Sequence, residues 1–191
     1  MKRIDVMVDI ETLGHKTDST VFQIAAVAFN IKTGEHIATF NRIADIAKDR
    51  ELKVTGSTIK WWLNTDKELI TKLLNSGEGS SDNIIHEFHR WLHSLCDSNY
   101  VLLWGNGILF DNKIIQHHFE RLGLDYPIYY KNDRDVRTLL EIASMKLGIT
   151  ARELKDRFKD ERLTAHNAFD DVTFQINLVS WCYNYVLGED E

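Results

Sequence analysis

Residues 4–14 read IDVMVDIETLG, and the fold is decided there. The first six of these residues are short and rich in aliphatics, as in a central strand buried on both faces of a sheet. Working outward, 20–31 (TVFQIAAVAFNI) and 36–43 (HIATFNRI) flank Lys32, Thr33, Gly34 and Glu35, which predicts a hairpin and makes three strands in succession. Over 82–96, Ile84, Ile85, Phe88, Trp91, Leu92 and Leu95 recur at helical spacing, so a helix there buries one face. Residues 100–104 (YVLLW) predict a fourth strand closed by Gly105, Asn106 and Gly107, and 128–131 (IYYK) predict a fifth. Helical periodicity covers 108–122, 136–147, 150–158 and 166–187, the last with Val172, Ile176 and Val179 on one side. A meander followed by strands alternating with helices predicts a mixed α/β sheet covered on both faces.

The 191 residues suit one domain, and with a single proline, Pro127, no Gly/Ser tract and no repeat, that domain is expected to run over 1–191. Hydrophobic residues at 43% and charged residues at 27% exclude disordered, collagen-like and membrane compositions. The formal charge of −6 excludes general attraction to a polyanion, so any nucleic-acid contact must be local. Cys96 and Cys182 lie far apart and form no CxxC cluster, which favours a reducing compartment over a disulfide framework. Asp5 interrupts any secretory h-region and no apolar run is long enough to span a bilayer, so the expectation is a cytoplasmic protein with no membrane partner.

Acidic residues occupy positions where stability alone would not place them. Asp9 and Glu11 end the first strand, at the crevice where open α/β sheets bind ligands. Strand-end solvation explains one such aspartate. Ile108, Ile115 and Leu122 form a core-facing stripe with Asp111 in its middle, and a buried carboxylate must protonate, pair or hold a cation. A helix-start role for Asp111, worth about 0.3–1 kcal/mol, would be served better on an exposed face. In LTAHNAFDDV (163–172), His166 precedes the last helix and Asp170 and Asp171 stand in its first turn, where capping is again available. Capping does not predict three separate acidic sites accompanied by a histidine, a common proton acceptor in catalysis.

Hard divalent cations take oxygen ligands, and a pair of them clamps the attacking and leaving oxygens of a phosphodiester displacement. The attacking water must lose a proton, for which His166 is the natural acceptor.

The three strings DIETLG (9–14), WGNGILFDN (104–112) and HNAFDD (166–171), in this order, resemble the DEDD exonucleases of the ribonuclease H-like fold, in the subgroup with a histidine base. The resemblance implies Asp9, Glu11, Asp111 and Asp171 (rather than Asp170) as ligands of two divalent cations, magnesium or manganese, and His166 as general base. It implies a five-stranded mixed sheet of order 3-2-1-4-5 with strand 2 antiparallel and helices on both faces. STIKWW (57–62), WGNG (104–107) and RDVRTL (134–139) are similar to the ribonuclease T-related branch, of phage exonuclease and 3′-overhang exoribonuclease type. The activity implied is 3′-to-5′ removal of nucleoside 5′-monophosphates, with the terminal nucleotide over Thr12 and Leu13. RNA is the favoured substrate, single-stranded DNA the first alternative, and a non-catalytic nucleic-acid-binding module the second. Small relatives often act as dimers, which leaves a homodimer open.

Phe110 and Trp61 are candidate platforms for a base, against core packing as the plainer reading of both. His86, His89 and His93 share a helix stripe with Asp82, a zinc-like set that reads better as solvent-exposed. Arg152, Lys155, Arg157, Lys159 and Arg162 alternate with acids and read first as a solvated helix face. Asp135 and Arg137 are expected to form an ion pair locking a strand to the following helix.

Overall fold

The structure is a computed structural model and describes residues 2–96 and 99–188. Strands β1 (Lys2–Thr12), β2 (Val21–Phe29) and β3 (His36–Ile43) form the meander. Helices α1 (Gly56–Thr65), α2 (Lys67–Asn75) and α3 (Ser81–Cys96) lead to β4 (Asn99–Gly105). Then come α4 (Asp111–Arg121), β5 (Asp133–Asp135), α5 (Val136–Leu147), α6 (Ala151–Arg157) and α7 (Ala168–Leu187). The sheet order is β3-β2-β1-β4-β5, with β2 antiparallel to β1 and β3, and β4 and β5 parallel to β1 and β4 respectively, as expected.

Alternation along β1 builds the two-sided core. Val6, Val8 and Ile10 pack with Phe88 of α3 and Ile115 and Phe119 of α4, while Met7 packs with Val172 and Ile176 of α7. The hairpin between β2 and β3 closes on Gly34 at φ +73°, with Gly34 N–H donating to Asn30 at 2.8 Å. Asp5, although buried, is satisfied by Arg3 (2.9 and 3.0 Å) and by the Trp104 indole N–H (2.8 Å). One carboxylate of β1 is thus fully partnered, which makes those at the strand's other end stand out.

The fifth strand differs from expectation. Residues 128–131 form a turn in which Ile128 is buried and Tyr129 and Tyr130 face out. Pairing begins only where Leu103 N–H donates to the Asn132 carbonyl (3.1 Å), and the strand is the charged triplet Asp133–Asp135. An edge strand of three polar residues carries no hydrophobic signal, and its charges suit an unpaired edge. The helix pair over 56–75 has no counterpart among the elements expected from sequence. Asp66 separates the two helices and caps α2 by accepting the Leu69 N–H at 2.8 Å. Among the described residues no helix is long and apolar enough to cross a membrane.

Candidate active site

β1 runs into the C-terminal edge of the sheet, and the alternation that buries Met7 against α7 carries Asp9 and Glu11 to the same face. The first turn of α7 meets them there. Carboxylate oxygens of Asp9, Glu11 and Asp171 all lie within 4.8 Å of one another. Asp111 is the first residue of α4, 5% exposed, and its charge acts on both Asp9 and Glu11. The structure thus gathers all four expected carboxylates. Asp170 turns away and accepts the Thr164 N–H (3.0 Å), which fixes the loop before α7.

The electrostatics of the cluster are costly. Burial pushes Asp9 and Glu11 well above the ordinary carboxylate range, and the neighbouring carboxylates push them further. Burial likewise pushes Asp111 up to about 7, countered by backbone N–H groups and by the charge of Arg137. Asp171 is raised by burial, less so because the His166 N–H donates to it at 2.9 Å. Among the described residues no lysine or arginine forms an ion pair with Asp9 or Glu11; the opposing influence at Asp9 is the amide of Gln175, which donates at 2.9 Å. An all-oxygen donor set with so little internal compensation fits hard divalent cations.

His166 stands at the cluster's rim with φ +67°, the single non-glycine residue with positive φ among those described. Such a backbone costs roughly 1–2 kcal/mol in an L-residue and persists only where its surroundings enforce it. The enforcement comes from Asp171, and from Asn167, which caps α7 by accepting the Phe169 N–H at 3.1 Å. Behind them Gln23, fully buried in β2, accepts the Ala168 N–H (3.3 Å) and donates to Asn41 (3.2 Å). The imidazole stands edge-on to Trp61 with ring centroids 4.8 Å apart.

A cavity of about 480 Å³ opens beside Glu11, lined by Ile10, Thr12, Gly14, Trp61, Trp62 and Phe110 among others. Trp61 is 43% exposed and offers a face, Phe110 is half-buried at the rim, and Thr12 contributes through its backbone because its hydroxyl donates to Gly14 O at 2.5 Å. Trp62 anchors this wall by donating its indole N–H to the Thr12 carbonyl at 3.1 Å. Leu13 corrects the sequence reading. The pairing of β1 with β2 shifts between Glu11 and Thr12, where Phe22 of β2 is passed over, and Leu13 lies inward, 3% exposed, against Phe22 and Trp62, so no base can pack on its side chain.

Two buried glutamines escaped the sequence reading, although each left a signal. Gln23 interrupts an otherwise apolar strand, and Gln175 stands on the face of α7 that Val172, Ile176 and Val179 make apolar. The histidine stripe forms no metal cluster among the described residues: His89 meets Asp125 (3.2 Å) and Asp82 pairs with Arg121. Asp135 makes no ion pair with Arg137. It caps α5 through the Thr138 N–H and accepts the Ile108 N–H, each at 3.1 Å.

Comparison with known proteins agrees with this geometry. Residues 4–183 match the family model described as the 3′-5′ exoribonuclease Rv2179c-like domain. The exodeoxyribonuclease of Enterobacteria phage T4 is 24% identical over 213 residues, covering 98% of this chain and 92% of its own. Among solved structures, the nuclease domain of 3′hExo, a DEDDh family member bound to rAMP, superposes with a TM-score of 0.64 at 13% identity, over 98% of this chain and 96% of its own. The zinc-bound complex of E. coli exonuclease I with single-stranded DNA gives 0.66 at 18% identity, over 94% of this chain, which spans 40% of that longer protein. The chain belongs to the Rv2179c-like 3′-5′ exoribonuclease domain family and is a 3′-5′ exonuclease.

Proposed function

We propose that the protein removes nucleoside 5′-monophosphates one at a time from the 3′ end of RNA, using two divalent cations, magnesium or manganese, held by Asp9, Glu11, Asp111 and Asp171. The observation that carries this reading is the convergence of four carboxylates, three of them with oxygens within 4.8 Å, beside a cavity of nucleotide size. Bound there, such cations would offset the carboxylate charge and stabilise the attacking and leaving oxygens of the displacement. The chain's own groups do the rest. Trp61 and Phe110 flank the terminal base, a contact worth roughly 1–3 kcal/mol that ignores base identity. The Thr12 backbone, locked by Trp62, borders the terminal sugar. His166 takes the proton of the attacking water, the P–O3′ bond to the preceding nucleotide breaks, and the leaving O3′ takes a proton from solvent, so that the shortened strand ends in a 3′-hydroxyl. Gln175 holds Asp9 in its rotamer, and Asp171 holds the His166 backbone.

RNA is favoured by the family model that matches residues 4–183. The phage exodeoxyribonuclease, similar over nearly the whole chain, supports DNA as the second reading. The deciding experiment is a side-by-side digestion of matched RNA, DNA and 3′-overhang duplexes labelled at the 3′ end, with magnesium and with EDTA. Labelled mononucleotide should appear from RNA fastest and vanish with EDTA. Equal or faster DNA cleavage would move the assignment to the second reading, and binding without release would leave a non-catalytic module.

The register of the last motif is tested by a pair of variants. Asp171→Asn should remove measurable turnover. Asp170→Asn should cost about 1 kcal/mol of stability through its weakened bond to Thr164, with kcat within a few-fold of wild type. Equal loss in both would overturn the assignment of Asp171 as the ligand.

A further inference from the structure

We infer that Arg137 and Lys155 form an anion subsite that takes a backbone phosphate of the substrate strand on the 5′ side of the bond that is cut; this rests on the exonuclease reading above. Arg137 is the second residue of α5, and Asp135 just before it ties α5 to the loop that delivers Asp111 by accepting the Ile108 N–H at 3.1 Å. The guanidinium lies against Gly107 so closely that a Cβ there would meet Arg137 Cζ at 3.1 Å, and Gly107 itself has φ +122°. Glycine at this position therefore lets a planar cation rest on the backbone beside the carboxylates. The charge of Arg137 is felt at Asp111, whose carboxyl it pulls down.

Among the described residues Arg137, which is exposed, and Lys155, which is half-buried on α6, form no ion pair with a carboxylate. The other basic residues of 152–162 have local acids: Lys159 pairs with Asp156 and Arg162 with Asp160, while the charges of Arg152 and Arg157 act on Asp156 and Glu153. Lys155 follows Leu154, which packs on Leu140 and Ala143 of α5, and burial together with the charge of Arg137 pushes the Lys155 ammonium down. Two cations that feel one another repel, and an anion between them offsets the cost. Arginine in particular presents a planar fork matched to phosphate oxygens.

Position selects the phosphate. The base cavity is on the β2 side of the carboxylates, because its wall residue Trp62 packs on Phe22 of β2 with ring centroids 5.6 Å apart. Arg137 follows β5, at the opposite edge of the sheet. A strand whose last nucleotide fills the cavity, and whose terminal phosphodiester lies over Asp9, Glu11 and Asp111, continues toward β5 and brings its next phosphate to the cation pair. The cluster of carboxylates repels that strand, so local positive charge on the exit side is what a net-acidic exonuclease requires.

The test compares a decanucleotide with a dinucleoside monophosphate, which has the scissile phosphate and none beyond it. For Arg137→Ala and Lys155→Ala the decanucleotide KM should rise about 10-fold with kcat within a few-fold. The dinucleotide should lose much less, so the preference for the longer substrate collapses. The slope of log KM against log salt should become shallower by about 0.7 for each cation removed. Arg137→Lys, which keeps the charge, should fall between wild type and alanine. Equal losses on both substrates would place Arg137 with the chemistry or the terminal nucleotide, and an unchanged decanucleotide KM and salt slope would exclude the subsite; either overturns the inference. Failure of the wild type to release mononucleotides from either substrate would instead count against the exonuclease reading itself.

Discussion

Asp111→Asn is expected to lower kcat on a 3′-ended oligonucleotide about 1,000-fold and, in the protein stripped of divalent cations, to raise the melting temperature. The first effect follows from the proposed role: losing a cation's charge stabilisation removes several kcal/mol, at 1.36 kcal/mol per decade of rate. The second follows from burial. The folded Asp111 carboxyl is pushed up to about 7, whereas an aspartate in an unfolded chain titrates near ~3.9. Between those values the folded state keeps a proton that the unfolded state has lost, so stability falls as pH rises through that window. Below about pH 4 both states are protonated and the penalty is absent; above about pH 7 it is complete. The difference of about 3 units corresponds to ~4 kcal/mol, from which the buried amide's own needs subtract about 1 kcal/mol. A net ~3 kcal/mol is roughly 6–12 °C in a domain of this size. Thermal melts in EDTA should therefore separate variant from wild type at pH 8 and bring them together near pH 4, and magnesium should raise the wild-type melting temperature more than the variant's. Wild-type kcat in the variant would contradict cation ligation by Asp111, and coincident melts at pH 8 would contradict the cost of its burial.

That cost is also the reason the cluster could be read from sequence. Asp111 opens α4 on the face that Ile114 and Ile115 bury, and Asp9 and Glu11 interrupt an apolar strand, so each is anomalous against an apolar background. Central strands and amphipathic helices are legible for the same reason: burial imposes a period on them. β5 was not, because a three-residue edge strand of charged residues imposes none. Leu13 shows another boundary. The pairing of β1 with β2 slips by one residue at Phe22, just past Glu11, and Leu13 packs inward on Phe22 and Trp62; a slip of that kind leaves no trace in composition. Gln23 and Gln175 break apolar patterns as plainly as Asp111 does, but an uncharged amide has many ways to be satisfied in a core. Its partner therefore becomes known only once β2, α7 and the carboxylates are seen together.

His166→Ala is expected to lower kcat by about 10²–10⁴-fold, the range a positioned general base contributes, while KM and divalent-cation affinity stay within a few-fold. The expectation depends on the ring and the loop being separable, and the geometry supplies the means. His166 holds φ +67°, a conformation that alanine tolerates poorly and asparagine comparatively well. His166→Asn therefore keeps the loop, with the residue-166 N–H still donating to Asp171, but has no group able to accept a proton near neutral pH. If the imidazole acts as the base, both variants lose kcat alike although the asparagine variant melts higher. If the residue matters chiefly because its backbone positions Asp171, asparagine should restore most of the rate and calorimetric titration should show weakened magnesium binding in the alanine variant alone. Near-wild-type kcat in either variant would remove His166 from the chemistry. Its edge-on contact with Trp61, at 4.8 Å between centroids, would then be one more wall of the nucleotide cavity.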